Sequence, residues 1–421
     1  MAKGKFFTYG WFMVAVAWVC YGFGISPAYY SISRFAASFT AELDLTREQY
    51  GIVFGVFTLF YSCVGIFVGP AMARWGVRAV MVCGFVTTSI GFFYFSRADS
   101  LWESIIGFSI LGGTGIGFAT IVPCQTIGQN WFLKRRALAI ALIFTAGGIV
   151  GKGVPYFDTY MIEHYDWRAG WVVIACISAF LAVFAALLIR DTPEMVGHRR
   201  DGATAEEEEA TLNALLKTTD GAATQQWTGK QAMKTPQFFM MIFCGVAYAV
   251  PWGIITSHFV FHMQELGFTP KIAGEFLGTM ALISIGGRLA GAGSDYVPPQ
   301  VMLAVSLVLE GIGAGIFIIA DTTALAYLSI TLVGLGFGTA YISVPVIFSH
   351  FFGRQAFGVT SGVRITITGV FNAAGPIIAG RIFDRTGAYT IPLIGLIVLC
   401  LVGSICAALL RHPGAPPEIA D

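Results

Sequence analysis

Charged side chains are scarce in this chain. Asp, Glu, Lys and Arg make up 12% of its 421 residues, against 56% hydrophobic ones. Soluble domains carry about 25% charged residues, so a chain this poorly charged cannot cover a water-facing surface of ordinary size. The opposite charges almost balance, with 25 basic and 24 acidic residues, which leaves no basic field for nucleic acid. None of the eight cysteines stands in a CxxC pair or a metal-ligand spacing. They read as small packing residues and give no zinc module. His258 and His262 lie one turn apart without an evident third ligand. No glycine-rich phosphate loop stands beside a strand, and no nucleophile is grouped with a base. The sequence therefore points away from an enzyme, and no cofactor is expected.

What the chain has instead is long apolar runs. A membrane-spanning helix needs about 20 mainly apolar residues. Runs of that kind lie near 11–33, 51–70, 79–96, 104–128, 137–161 and 169–190, then 237–262, 272–293, 300–320, 323–349, 355–380 and 390–410. They predict an all-α membrane protein of twelve transmembrane helices in two six-helix bundles, residues 1–190 and 237–421. Residues 191–236 read as a solvated central loop, with consecutive acids at Glu206, Glu207, Glu208 and Glu209 and one short surface helix around 205–217. Lys3 and Lys5 precede the first run, which reads as a spanning helix rather than a cleaved leader. Lys and Arg favour the side of the termini by about two to one, and positive loops stay inside. Lys134, Arg135 and Arg136 fall on that side, while Arg34, Arg47 and Arg168 fall opposite. Both termini and the central loop are accordingly expected in the cytoplasm.

The halves repeat each other. Gly113, Gly115, Gly117 and Ala119 in the fourth run match Gly334, Gly336, Gly338 and Ala340 in the tenth, each set followed by a proline, Pro123 or Pro345. Small residues at this spacing let helices approach closely. Repeated halves also place a binding site at their interface.

Three basic residues fall inside apolar runs: Lys152, Arg288 and Arg364. Arg364 sits in the stretch GVRITITG and lies about 15 Å beyond Arg354 at about 1.5 Å per residue. Thr360, Ser361, Thr368, Phe371 and Asn372 share roughly its face at helical spacing. A cation at the membrane centre costs about 2.5–3.5 kcal/mol on insertion scales. A guanidinium matches the two oxygens of a carboxylate, so an anionic ligand is one reason to keep it. The other is an internal ion pair, for which Asp158, Glu275 and Glu310 are the available acids. Lys152 is left open between a third site charge and a side chain reaching for the surface. Tyr29 and Tyr30 either face the cavity or belong to the interfacial aromatic belt, the belt slightly favoured.

With these features the chain resembles the major facilitator superfamily, six plus six helices with a long central loop. Gly69-Pro70-Ala71-Met72-Ala73-Arg74-Trp75-Gly76-Val77-Arg78 looks like that family's loop after the second helix, with Ala73 where an acid is usual. Within the family it is most similar to the oxalate:formate antiporter and monocarboxylate porter branch. That likeness rests on Asn130-Trp131-Phe132 with Arg136, on Met233-Lys234-Thr235-Pro236-Gln237-Phe238, and on Gly375-Pro376 with Gly380, Asp384, Gly387 and Tyr389. The resemblance implies substrate-facing basic residues at Arg288 and Arg364, and aromatics at Tyr341 and Phe337 on the tenth helix.

The expectation is a secondary transporter of small organic anions, carboxylates above all, working by alternating access in the cytoplasmic membrane as a monomer. Arg288, Arg364, Tyr341, Phe337, Thr368, Thr360 and Lys152 are the expected substrate-binding residues. Coupling is by anion exchange or by proton symport, with Asp158, Glu275 or His258 as proton carrier. The alternatives are an exporter of other small molecules on the same fold and a transporter-like membrane sensor.

Overall fold

The structure is a computed structural model that describes residues 9–204, 206, 227–291 and 297–414. Helices dominate, and several begin where the sequence supplies a side-chain cap. The first is α1, Tyr9–Glu42. Thr46 and Gln49 form a reciprocal capping box that starts α2 at Arg47. The helix runs from Arg47–Cys63 past Val64 into the stretch Gly65–Phe95. That stretch breaks at Gly76, whose φ of 83° suits glycine alone, so α2 ends before it and α3 occupies 77–95. Ser100 caps α4, Leu101–Trp131, which is π-helical over Ile105–Gly112. Then follow α5, Arg136–His164, and α6, Trp167–Leu188, capped by Asp166.

The second half opens with α7, Pro236–Glu265, capped by Thr235 with proline at its first position. Next come α8, Pro270–Gly291, and α9, Pro299–Ile318. The helical stretch Thr323–Thr386 breaks at Gly353, where φ is 70°. This divides it into α10 before the break and α11 over 354–386. The last helix, α12, is Thr390–Ala408. Eleven of the described helices are long and apolar enough to cross a membrane by themselves; α2 makes the twelfth crossing by continuing past Val64.

The matched glycines do matched work. A Cβ on Gly113 or Gly117 would press on Phe57 or Tyr61 of α2, and one on Gly115 on Gly84 and Thr88 of α3. A Cβ on Gly334 or Gly338 would press on Met280 or Ser284 of α8, and one on Gly336 on Ser306 and Glu310 of α9. The fourth helix thus meets the second and third as the tenth meets the eighth and ninth. Close backbone approach supplies the packing that lipid gives no hydrophobic force to drive.

Several helices outrun their apolar runs. The first run ends near 33, but α1 continues to Glu42. Arg34 is therefore no loop residue: it is buried, and its Nε and Nη2 donate to Thr159 Oγ1 at 3.3 and 3.2 Å. Where an acid is usual in the loop after α2, Asp191 from beyond α6 takes its place. Its carboxylate accepts from Arg78 N–H at 2.8 Å and lies against Gly76. The surface helix expected around 205–217 lies, but for residue 206, outside the described residues.

The halves are sealed at the end away from the termini. There Ser33 Oγ and Tyr50 Oη both donate to the Ser257 carbonyl, at 3.2 and 2.7 Å. Arg381 pairs with Glu48 at 3.0 Å, and the Arg47 guanidinium lies 3.3 Å over the Phe261 ring. Toward the termini α2 and α11 part. Gly51 and Gly55 of α2 press on the α11 backbone, and Gly369 of α11 presses on Ser62. One heptad further along each stripe, Gly69 and Gly362 have nothing within 4 Å of a Cβ position.

Candidate functional site

At mid-depth the helices of both halves bring together a cluster of aromatic, hydroxyl and cationic side chains. Arg288 on α8 reaches across to the other half, where its Nη1 donates to the Phe144 carbonyl of α5. Its guanidinium carbon stands 5.3 Å from the centroid of Tyr341 on α10. Gly147 of α5 lies beside this contact: a Cβ there would stand 3.2 Å from the Tyr21 ring and 3.7 Å, an ordinary contact, from Arg288 Nη1. Tyr341 also meets Phe144 edge to face, centroids 6.2 Å apart. Its ionisable neighbours are Tyr21, Tyr248 and Arg288, and Tyr29 lies close as well. One turn along α10, Phe337 stacks on Trp252 of α7 at 3.7 Å and 11°.

Arg364 on α11 is buried, 5.6 Å over the Phe348 ring of α10. Gly245 of α7 leaves room for Thr368, whose Oγ1 would stand 3.0 Å from a Cβ at that position, and lies beside the Arg364 side chain. Tyr341 and Phe348 are seven residues apart on one helix, about 10 Å at 1.5 Å per residue, so the two guanidinium groups occupy successive levels of one column. The Nε atoms of both arginines, Thr368 Oγ1 and Ser361 Oγ are buried without a hydrogen-bond partner. Buried donors in folded proteins are nearly always satisfied; a set of them left open on neighbouring helices is a place for an acceptor to enter. Among the described residues no carboxylate pairs with either arginine. The internal ion pair weighed from the sequence is therefore not formed.

Arg288, Tyr341 and Phe337 lie together, and Arg364 with Thr368 forms the adjoining level. Lys152 is elsewhere: its Nζ donates to Thr279 Oγ1 at 2.7 Å in the α5–α8 seam and lies 5.2 Å over the Tyr156 ring. Thr360 turns its hydroxyl to its own helix, onto the Ala356 carbonyl at 2.8 Å. Phe371, grouped with Arg364 by helical spacing, is more than half exposed. The true face runs from Arg364 through Thr368 to Asn372, opposite Gly245 and Gly253 of α7.

The three proton-carrier candidates are also apart. His258 is buried at the sealed end with both ring nitrogens engaged, one with Tyr389 Oη and one with the Pro376 carbonyl, each at 3.0 Å. Glu275 is half-buried on α8, and its carbonyl accepts from Thr279. Asp158 is fully buried on α5 and accepts from Ser31 Oγ at 2.9 Å.

Sequence reasoning missed Tyr21, Tyr61, Tyr248 and Trp252, and leaned to the belt for Tyr29 and Tyr30, which pack inward. Tyr29 packs inside, edge to face with Phe54, Phe57 and Tyr61, and Tyr30 is buried against Gly151. A belt residue keeps one end wet; Tyr30 does not, and Tyr29 is half-buried among aromatic rings. The available signal was the spacing of Tyr21 and Tyr29, eight residues apart and so on one face of α1.

The comparisons with known proteins agree with this architecture. The chain is similar to monocarboxylate transporter 13 of Rattus norvegicus, at 24% identity over 89% of this chain and 80% of that one. It is similar to the nitrite extrusion protein of Bacillus subtilis (strain 168), at 25% identity over 89% and 88%. Among solved structures, a bacterial homologue of the human lysosomal transporter Spinster, inward-facing and occupied, superposes with a TM-score of 0.72 at 14% identity, covering 95% of this chain and 96% of that one. The model of the Major Facilitator Superfamily matches residues 6–376. This is a multi-pass membrane transporter of small substrates rather than an enzyme, and the chain belongs to the Major Facilitator Superfamily.

Proposed function

We propose that the protein carries small organic anions, carboxylates foremost, across the cytoplasmic membrane by alternating access. The observation that carries this reading is a pair of intramembrane guanidinium groups, Arg288 and Arg364, that no acid among the described residues neutralises. Intramembrane charges without protein partners are kept for ligands, and a planar fork of donors suits a carboxylate. Arg288 with Tyr341 receives one anionic group, and Arg364 with Thr368 receives a second or holds the first on its way. Phe337 and Trp252 bound the carbon skeleton. The names of the two relatives, a monocarboxylate transporter and a nitrite extruder, are both those of proteins for small anions. An exporter of uncharged molecules leaves both arginines without a role.

In this reading both termini face the cytoplasm, the arrangement described is open toward it, and the chain works as a monomer. Exchange of one anion for another and symport with a proton both fit two unpaired cations. The test is a thermal-shift screen of the purified protein against mono-, di- and aromatic carboxylates and nitrite. A ligand stabilises the folded state by RT ln(1 + [L]/Kd). Stabilisation by carboxylates supports the reading; stabilisation by uncharged solutes of the same size and by no anion refutes it.

A further inference from the structure

Away from the arginine column, α5 holds an acid that transport of an anion does not itself need. Asp158 has no exposed surface. Ser31 Oγ of α1 donates to its Oδ1 at 2.9 Å, and its Oδ2 has no partner. The charged neighbour is Arg34 of α1, but the two are not paired: Arg34 gives Nε and Nη2 to Thr159 Oγ1. An ionised carboxylate buried without a counter-ion in a membrane is costly, and such a group is normally neutral.

Thr159 of α5 holds the guanidinium, and the other half packs against it. Gly274 of α8 packs onto the arm of Arg34, where a Cβ would stand 3.0 Å from its Cδ and 3.3 Å from its Nε. At the same level Glu163 of α5 faces Arg34 and pairs with Lys271 of α8 at 3.5 Å. The α5–α8 seam and the sealed end therefore close onto the arginine together.

We propose that Asp158 is a proton-binding site tied to closure of the end away from the termini. With α8 against Arg34, as here, Asp158 carries a proton. When that end opens and α8 withdraws, Arg34 turns to Asp158, the O–H bond of the carboxyl breaks, and the proton passes to water entering from that side. The carboxylate and the guanidinium then form an ion pair. The flux consequence rests on the carboxylate reading above; the proton site does not.

Infrared spectroscopy of the full chain in lipid tests the site without a substrate. Asp158→Asn, which keeps the shape of the neutral acid and its acceptor for Ser31, is expected to lose one carboxylic-acid carbonyl band present in the wild type. An unchanged spectrum means that Asp158 is ionised and overturns the proposal. In Arg34→Gln the band is expected to persist at alkaline pH values where the wild type loses it; loss at the same pH removes Arg34 from the mechanism. In proteoliposomes, Asp158→Asn is expected to lose the acceleration of acetate or oxalate uptake by an inward-directed proton gradient while keeping exchange. Retention of that acceleration overturns the coupling. If neither protein moves any carboxylate, the transport reading fails and the infrared result still decides the proton site.

Discussion

Asp384, near the end of α11, accepts hydrogen bonds from the backbone N–H groups of Arg47 at 3.0 Å and Glu48 at 2.8 Å, the first two residues of α2. A carboxylate of one half thus caps a helix of the other, where the unpaired N–H groups and the dipole both favour negative charge. It closes the sealed end together with the Ser257 carbonyl, which takes bonds from Ser33 and Tyr50.

Asp384→Ala is therefore expected to weaken closure of that end. Loss of a cap costs about 1 kcal/mol, which is roughly a fivefold shift in an equilibrium where 1.4 kcal/mol is tenfold. A cysteine placed at buried Ser33 reports the change. Its labelling by a membrane-impermeant maleimide is expected to accelerate by about that factor in the Asp384→Ala background, and an unchanged rate would show that the cap does not hold the seal.

The tight helix crossing in the second half gives a stability prediction. A Cβ at Gly338 would stand 2.8 Å from Arg288 N and 3.0 Å from the Gly287 carbonyl carbon, backbone that cannot step aside. Gly338→Val is expected to lose about 1–3 kcal/mol or more from overpacking and to lower the melting temperature in detergent. Gly362→Ala, with nothing within 4 Å, is expected to leave it unchanged or raise it. The reverse order would contradict the packing described.

Much of this fold was legible because lipid imposes simple rules. The twelve apolar runs each fell on a helix, the second on α2, and the matched glycines of α4 and α10 marked the repeat. Helix ends were less legible. Arg34 and Glu42 are polar residues of α1 that project from the end of an apolar run, so hydropathy assigned them to a loop. Of the site, the arginines stood out because charge is rare in a membrane helix, whereas Tyr21 and Tyr248 look in sequence like any other aromatic. Which acid pairs with which base depends on three-dimensional register, and neither Asp158 nor Glu310 could be placed against Arg288 or Arg364 by spacing alone.

If Phe337 and Trp252 bound the substrate as proposed, their stack, 3.7 Å between ring centroids, limits substrate bulk. Phe337→Ala removes an aromatic contact worth about 0.5–1.5 kcal/mol beyond its buried area. Affinity for small carboxylates is expected to fall several-fold, while uptake of aromatic carboxylates rises relative to acetate. Competition assays with both classes measure the ratio, and an unchanged ratio would remove Phe337 from the selectivity of the site.

His258 offers a contrast with Asp158. Both of its ring nitrogens are committed, to Tyr389 and to the Pro376 carbonyl, so it ties α7 to α11 and α12. His258→Gln is expected to lose about 1–3 kcal/mol through the hydrogen bonds left unmade, seen as a lower melting temperature. The response of uptake to a proton gradient is expected to persist. Loss of that response with stability intact would make His258 the carrier.

The central claim is that Arg288 and Arg364 hold the anion, and direct binding of carboxylates to the purified single variants Arg288→Gln and Arg364→Gln tests it most closely. Hydrogen bonds to charged groups are worth about 1.5–3 kcal/mol each, so each variant is expected to bind about 10- to 150-fold more weakly at 1.4 kcal/mol per tenfold. Neutral solutes should show no change. Wild-type affinity for every carboxylate in both variants would contradict the account.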